Sequence, residues 1–436
     1  MGHDSLSQEL TGYIRNLQKR ERFTSQIIRL ESKLIESRLD FLSMSKTAFV
    51  GARILPIESE PIENGTIVVE DGVIVALGTD IETSNCEIVD CKGKVITPGF
   101  IDAHSHVGLW EEATGKDGAD GNEMSTPITP HLRSLDAIFP EDMGFQDARE
   151  GGVTTLGITP GSGNLIGGQF AALKTTGHIV DDMIIKEPVG VKMALGQNPK
   201  RVGSEKNRAP TTRMGNAFLI REAFYQALDY AQEWEEYQTK ISTSESAKKP
   251  KRDLKLDVLN RILRREIPVR CHSHRADDIR TAIRLADEFG YDLVIDHATE
   301  SHKIKEYIAS RGLTVVVGPL VTSRSKLELR DRSRKTPGIM MKEGVRVCIT
   351  TDAPVIPIYA LRDNVIAAVR DGLPEDRALE TITINPARVL GVDDKVGSLK
   401  VGKDADFLVF GGDPLDARNM VLMTYIEGRL VYRSTD

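Results

Sequence analysis

Two histidines separated by one residue, His104 and His106, end a strongly apolar run of the chain. Side chains two positions apart on a β-strand point to the same face. The two imidazoles therefore aim together at the carboxyl end of that strand, where they can chelate one divalent cation. An H-x-H pair alone is a weak signal of metal binding, so its weight depends on what the other strand ends carry.

Three later apolar runs end in residues of the same kinds. His272, His297 and Asp352 each stand directly after the carboxyl end of such a run. In a barrel of parallel strands all carboxyl ends meet at one mouth. Four strand ends that supply H-x-H, His, His and Asp in this order predict a metal site at that mouth.

The elements that must position these residues alternate between strand-like and helical runs. Amphipathic runs such as Asp277–Phe289 lie between the strands. Eight strands within about 255 residues match the size of a TIM barrel. The polar segment Glu233–Asp257 is predicted to be a surface excursion between two helices. The predicted strands are Val95–Ile101, Val153–Ile158, Ala171–Thr175, Gly190–Leu195, Pro268–Cys271, Asp292–Ile295, Leu313–Val317 and Val345–Thr350.

Both ends of this alternating region are rich in short β-like runs separated by Gly, Asn and Asp turns. We therefore predict an α/β protein, a distorted TIM (β/α)8 barrel with a small discontinuous β-sandwich domain built from both ends of the chain. Leucines and isoleucines at helical spacing near the start predict an amphipathic helix that packs on its own barrel or mediates oligomerisation. The predicted units are a helical extension at 1–46, the sandwich at 47–98 and 396–436, and the barrel at 99–395.

Composition narrows the class of protein. The chain of 436 residues has 57 Lys and Arg against 64 Asp and Glu, a formal net charge of -7. This charge argues against a general nucleic-acid binder, which needs a basic surface. No apolar stretch approaches the ~18 residues that a membrane span needs. The four cysteines form no C-x-x-C pair and no secretory-signal pattern precedes the barrel, so a cytoplasmic enzyme is predicted.

The sequence around these residues resembles the amidohydrolase superfamily of metal-dependent hydrolases. The resemblance covers residues 47–436 and is specific for the fold and the metal site, but it does not identify the substrate. The stretches that carry it are VITPGFIDAHSH at 95–106, ITINPARVLGV at 382–392 and VGSLKVGKDADFLVF at 396–410. An imidazolonepropionase- and prolidase-related branch of bacterial and archaeal amidohydrolases is especially similar at GLWEEATG (108–115), TPHLRSLDA (129–137), KMALGQNPKR (192–201), TRMG (212–215), HRADDI (274–279) and PVIP (354–357).

The resemblance implies a role for each strand-end residue. His104, His106 and Asp352 hold a divalent cation, most simply zinc, and His272 and His297 complete this site or hold a second cation. Asp352 is also the implied general base, which takes a proton from the attacking water and gives it to the leaving nitrogen. The implied reaction is hydrolysis of the C–N bond of a small polar amide, a cyclic amide or a dipeptide.

The number of cations depends on a bridging ligand. The related branch usually has Glu where this chain has Gln197, and a neutral amide is a weak ligand for a hard cation. Lys192 on the preceding strand can bridge only as a carbamate. The branch also tends to have His where this chain has Ala353. Because two dications repel strongly without an anion between them, we predict one cation per chain, with a carbamate-bridged pair as the alternative.

Other polar residues near the strand ends are candidates for substrate binding. His274 lies two positions after His272 and faces the same side, so it contacts substrate, supports the ligands or is itself a ligand. His131, Arg133 and Arg201 can hold a carbonyl or carboxylate group, and a surface salt bridge is an equally good interpretation. Arg324 and Lys326, after the seventh strand, have the same ambiguity. A homo-oligomer is predicted.

Two other functions remain open. The first is a deaminase of a nitrogen heterocycle, but deaminases of this superfamily often carry Glu three residues after the fifth-strand histidine, where this chain has Arg275. The second is a non-catalytic amidohydrolase-like subunit. Such subunits usually lose the H-x-H pair and the last aspartate, and this chain has both.

Overall fold

The computed structural model describes residues 46–243 and 246–435. The predicted helical extension at 1–46 lies outside these residues, except for Lys46, which begins the first strand. The strands are β1 Lys46–Ile54, β2 Ile62–Glu70, β3 Val73–Gly78, β4 Cys86–Asp90, β5 Val95–Pro98, β6 Phe100–Ser105, β7 Val153–Ile158, β8 Ile166–Gln169, β9 Ala171–Lys174, β10 Ile184–Lys186, β11 Val191–Ala194, β12 Val269–Ser273, β13 Leu293–His297, β14 Thr314–Val317, β15 Arg346–Ile349, β16 Phe407–Phe410, β17 Val421–Ile426 and β18 Arg429–Arg433.

The α-helices lie mainly between the barrel strands. They are α1 Met143–Glu150, α2 Val180–Met183, α3 Gln197–Glu205, α4 Arg213–Ser242, α5 Leu254–Leu263, α6 Ala276–Phe289, α7 Lys305–Ser310, α8 Thr336–Lys342, α9 Leu361–Arg370 and α10 Ile384–Leu390. Short 3-10 segments are found at Ser134–Asp136, Ser301–Ile304, Leu327–Leu329, Ile358–Ala360 and Glu375–Ile382. No helix of the described chain has the combined length and apolarity that crossing a bilayer would need.

The TIM-barrel-like part is formed by two mixed sheets. One has the strand order β10-β9-β7-β6 and the other β15-β14-β13-β12-β11-β8, with parallel pairing from β11 to β15. β8 and β9 are two halves of one stretch interrupted at Phe170, and they run antiparallel to β11 and β7 respectively. Between β15 and β6 the Thr350 hydroxyl donates to the His104 carbonyl at 2.7 Å. The described strands thus follow a distorted barrel without a closed hydrogen-bonded ladder.

The prediction of one strand over Val95–Ile101 is wrong, because the chain changes sheet at Gly99. Residues 95–98 pair with β1 and β16, whereas residues 100–105 pair with β7. The Gly99 N–H donates to the Asp406 carbonyl at 2.9 Å. A Cβ at position 99 would lie 2.1 Å from Oγ1 of Thr154, so only glycine allows the crossing there.

The prediction that Glu233–Asp257 is a surface excursion is wrong over its first part. Helix α4 continues to Ser242 and is 30 residues long. Its buried apolar positions stop at Tyr230, and the following turns are mainly polar. A helix that is polar all round lacks the apolar stripe by which a helix is recognised in a sequence.

The two β-rich ends of the chain are neighbours in one sheet, as expected. Its strand order is β18-β17-β16-β5-β1-β2-β3, and β4 pairs with β1. All eight strands belong to this single hydrogen-bonded sheet, so the two-layer sandwich is not confirmed. Phe49, Phe407 and Tyr425 pack in its core with ring centroids 4.7–4.9 Å apart. Lys174 of the barrel donates to Asp404 and Asp406 at 2.7 Å, which joins the two parts.

Candidate active site

The carboxyl ends of β6 and β15 bring three predicted ligands together. Nε2 of His106 lies 3.2 Å from Oδ1 of Asp352, and Nε2 of His104 lies 3.5 Å from the same oxygen. One ligand atom from each of these three residues lies within 4.8 Å of the other two. We call His104, His106 and Asp352 the first cluster.

A second cluster stands beside the first. His272 and His274 at the end of β12 and His297 at the end of β13 also have ligand atoms within 4.8 Å of one another. The His104 and His297 rings, 4.8 Å apart, connect the two clusters. His274 is thus placed with two predicted ligands, and the geometry favours a ligand role for it over a substrate contact alone.

Fixed acceptors orient two of the histidine rings. Nδ1 of His106 donates to the Thr159 carbonyl at 2.6 Å, and Nδ1 of His297 donates to the Gly318 carbonyl at 3.0 Å. These two contacts keep the proton on Nδ1 and leave the Nε2 lone pair available to a cation. Nδ1 of His104 lies 3.1 Å from Oδ2 of Asp296, an electrostatic contact without the geometry of a hydrogen bond.

His272 and His274 also have unsatisfied nitrogens. Nδ1 of His272 and Nε2 of His274 are buried and have no hydrogen-bond partner among residues 46–243 and 246–435. Burial lowers the pKa of both rings well below its usual value, followed by neighbouring imidazoles for His272 and by Lys326 for His274, so both are neutral. Buried unpaired nitrogens are costly, and neutral imidazoles are good ligands for zinc. The donor set therefore fits a divalent cation.

Asp352 occupies a special backbone position. Its φ is 56°, and that of His297 is 67°, in the left-handed region that non-glycine residues seldom adopt. Buried Asp102 holds the preceding turn by accepting hydrogen bonds from the Thr351 N–H at 2.8 Å and from its hydroxyl at 2.7 Å. Burial acts to raise the pKa of Asp352, but His297, His106 and His104 outweigh it and hold that pKa below its usual range. The carboxylate is therefore ionised.

A buried ion pair behind His104 was not identified from the sequence. Arg270 and Asp296 are fully buried, and Nη2 of Arg270 lies 2.7 Å from Oδ1 of Asp296. The guanidinium also donates to the Ala103 carbonyl at 3.0 Å and lies 4.9 Å from the centre of the Phe170 ring. Burial tends to raise the pKa of Asp296, but Arg270 and His104 keep it far below its usual range. The sequence carries one signal of this ion pair: each of two apolar runs that precede predicted ligands contains a charged residue.

The two candidates for a bridging ligand have different positions. Lys192 is fully buried, with Nζ 3.0 Å from Nε2 of His104, and burial lowers its pKa to about 8. Gln197 is not brought to the clusters: its backbone N–H donates to Glu328, and its side chain does not line the cavity described below. Asn198 takes that place, with Nδ2 3.5 Å from Nε2 of His272.

This difference gives a first testable prediction. The substitution Gln197→Glu is expected to leave the metal content of the purified protein unchanged, because residue 197 does not face the clusters. Metal analysis by mass spectrometry checks this, with Asn198→Glu as the matched variant one position along. An increase in metal uptake caused by Gln197→Glu would show that position 197 supplies a ligand.

A cavity of about 560 Å³ opens above the clusters. His106, Lys192, His272, His274, His297 and Asp352 form its inner wall. The Trp110 ring, 4.5 Å from that of His106, covers one side, and Arg201 also lines the cavity while it pairs with Glu205 at 3.0 Å.

His131 and Arg133 do not line this cavity, although the sequence makes them candidates for substrate binding. Arg133 forms ion pairs with Asp136 at 2.5 Å and with Glu187 at 3.8 Å. Arg133 therefore takes part in ion pairs outside the cavity. Burial, followed by the charge of Lys255, lowers the pKa of His131.

Comparisons with known proteins agree with this geometry. Residues 229–431 match the profile described as Amidohydrolase family. The chain is similar to the crystal structure of an amidohydrolase from Thermotoga maritima MSB8, at 43% identity and a TM-score of 0.85, over 89% of this chain and 100% of that one. It is also similar to the amidohydrolase tasK of Hapsidospora irregularis, at 28% identity over 84% of this chain and 39% of that protein. An imidazolonepropionase of Mesorhizobium japonicum is 23% identical over 80% of this chain and 87% of its own length. The chain spans well under half the length of tasK.

Proposed function

The chain belongs to the amidohydrolase superfamily of hydrolases that act on C–N bonds, and from this premise we propose that it cleaves a small polar amide, a cyclic amide or a dipeptide. One observation carries the proposal. Two clusters of histidines, the first with an ionised aspartate, face each other at the inner end of a cavity of about 560 Å³. That volume suits a small molecule and excludes a folded protein substrate.

We propose that one divalent cation, zinc, is held by His104, His106 and Asp352, with help from His272 or His297. Such a cation supplies an acidic water and a polarised carbonyl group. Asp352 is the one carboxylate of the first cluster, and the Lys192 ammonium beside His104 adds positive charge. A second dication there would be strongly repelled unless Lys192 became a carbamate.

Asp352 is proposed as the general base. Two carboxylates line the described cavity, and the other one, Glu205, is exposed and paired with Arg201. Asp296 is fully buried behind the site, where its Oδ1 pairs with Arg270, and it does not line the cavity. Asp352 therefore takes the proton from water as the new C–O bond forms, and gives it to the nitrogen as the C–N bond breaks.

The structure does not favour deamination. Arg275, at the position that often carries Glu in deaminases, forms an ion pair with Asp277 at 2.8 Å and does not line the cavity. A screen of N-acyl amino acids, dipeptides, lactams and heterocyclic amines, with amine and ammonia measured separately, tests the proposal. Release of ammonia from heterocycles alone would favour the deaminase, and no turnover by metal-loaded protein would favour a non-catalytic subunit.

The cation count is a second testable prediction. Protein purified without added metal is expected to contain about one divalent cation per chain. A single carboxylate faces the site, and its charge is too small to offset the repulsion between two dications. Removal of the cation with a chelator should lower the melting temperature, since His104, His106 and Asp352 lose the ion that they share. Metal analysis and thermal unfolding check both points. Two cations per chain, with carbon dioxide bound to Lys192, would contradict the count.

A further inference from the structure

Lys326 brings an ammonium group to the cavity wall, where its ion-pair partner Glu328 lies beyond hydrogen-bond distance. Its side chain is 21% exposed, and the nearest acidic atom in the described chain, Oε2 of Glu328, lies 3.7 Å away. This distance exceeds that of a hydrogen bond. The other oxygen of Glu328 already accepts from the Gln197 N–H at 2.6 Å and from Arg213 at 3.3 Å. The ammonium of Lys326 therefore keeps donors available to the cavity.

A second cation adds to the positive charge of this wall. Arg201 lines the same cavity, and the charges of Arg201 and Lys326 repel each other. Arg201 is paired with Glu205, whose side chain is 55% exposed and hence well hydrated. Lys326 is mostly buried, and its ion-pair partner Glu328 lies 3.7 Å away, so an anion that enters the cavity gains more from Lys326 than from Arg201.

Lys326 lines the same cavity as His272, His274 and Asp352, so one small molecule can contact both Lys326 and the reacting groups. The wall near it is apolar, with Val202, Leu329 and Pro319. A ligand that fits has a carboxylate at one end, an apolar side chain along the wall and an amide beside Asp352.

We propose that Lys326 binds the free carboxylate of the substrate, so that the substrate class is an N-acyl amino acid or a dipeptide and neither a neutral lactam nor an amine. This inference rests on the proposed hydrolysis of an amide. Lys326 acts as a specificity-determining residue: it holds the carboxylate of the amino-acid part, while the carbonyl carbon of the scissile amide lies near Asp352. A neutral substrate would leave the ammonium with Glu328, which is beyond hydrogen-bond distance, as its ion-pair partner.

The test uses a pair of probes that differ only in charge, N-acetyl-L-leucine and N-acetyl-L-leucinamide. Binding to the metal-loaded, full-length protein is measured by calorimetry, and kcat and KM are measured for the acetyl-amide bond. Lys326→Met is expected to weaken binding of the carboxylate probe at least about 10-fold, the scale of one charge-assisted hydrogen bond. Binding of the carboxamide probe is expected to change by less than about twofold, and Lys326→Arg should restore most of the affinity for the carboxylate.

Lys400→Met, at an exposed position of the β-rich C-terminal part, is the matched control and should leave the binding of both probes unchanged. If Lys326→Met lowered the affinity for both probes equally, Lys326 would have a structural role and the proposal would be overturned. Unchanged binding of both probes in the variant would also overturn it, and so would wild-type protein that binds neither probe. In another outcome the wild-type protein binds the carboxylate probe selectively without hydrolysing it, and Lys326→Met abolishes that binding. This result would support Lys326 as a carboxylate-binding residue and would contradict the proposed hydrolytic function.

Discussion

Replacement of Asp352 by asparagine is expected to lower turnover by at least about 10²-fold while the protein stays folded. An amide cannot accept the proton that the carboxylate takes, although it keeps nearly the same shape beside His106. The measurement is kcat on whichever amide the wild-type protein hydrolyses, together with metal content and melting temperature. These two further readouts separate loss of the base from loss of the cation.

The matched control for this prediction is Asp376→Asn, at an exposed position outside the cavity. It should keep kcat, metal content and melting temperature at the values of the wild-type protein. A near-normal kcat in Asp352→Asn would show that another group removes the proton. A lower kcat that added zinc restores in full would make Asp352 a ligand but not the base.

Replacement of Arg270 by methionine is expected to lower the free energy of unfolding by about 3–5 kcal/mol, the usual cost of a buried charge that loses its partner. Asp296 would remain buried beside His104 without its main counter-charge, and the Ala103 carbonyl would lose a donor. The position of the His104 ring depends on Asp296, so metal affinity should fall as well. Urea unfolding at a fixed metal concentration measures the first effect.

Two variants complete this test. Arg418→Met breaks the ion pair with Asp416, in which the arginine side chain is 89% exposed, and should cost at most about 1 kcal/mol. Arg270→Met combined with Asp296→Asn removes both charges and should recover part of the loss, as coupled partners do. If Arg270→Met cost no more than Arg418→Met, the ion pair would not stabilise the fold.

The sequence predicts which histidines and which aspartate stand together at the strand ends, because apolar β-runs are easy to recognise and few residues follow them. Their role as metal ligands stays a prediction. It does not resolve details that depend on how elements meet. Asn198, and not the expected Gln197, lines the cavity because of the turn at which α3 begins. A shift of one residue in that turn changes which side chain faces the cavity. No short-range pattern specifies that register.

The fold contains two other features that local patterns do not show. Arg270 and Asp296 are charged residues inside apolar runs, and they are buried together only because their strands are neighbours. The change of sheet at Gly99 depends on Thr154 and Asp406, which are distant in the sequence. Helix α4 extends past its apolar stripe, so a polar composition alone does not distinguish it from a loop.

The pairing of β5 with β16 also sets an order of events during synthesis on the ribosome. Pro98 pairs with Phe407, and translation of the intervening chain takes about 15–60 s at ordinary rates. During that interval one edge of β5 has no partner, which is a known risk for aggregation. A nascent chain that stops before Asp406 already carries every histidine and the aspartate of both clusters. It still lacks Asp406 and the strand that together hold the crossing between β5 and β6 in place.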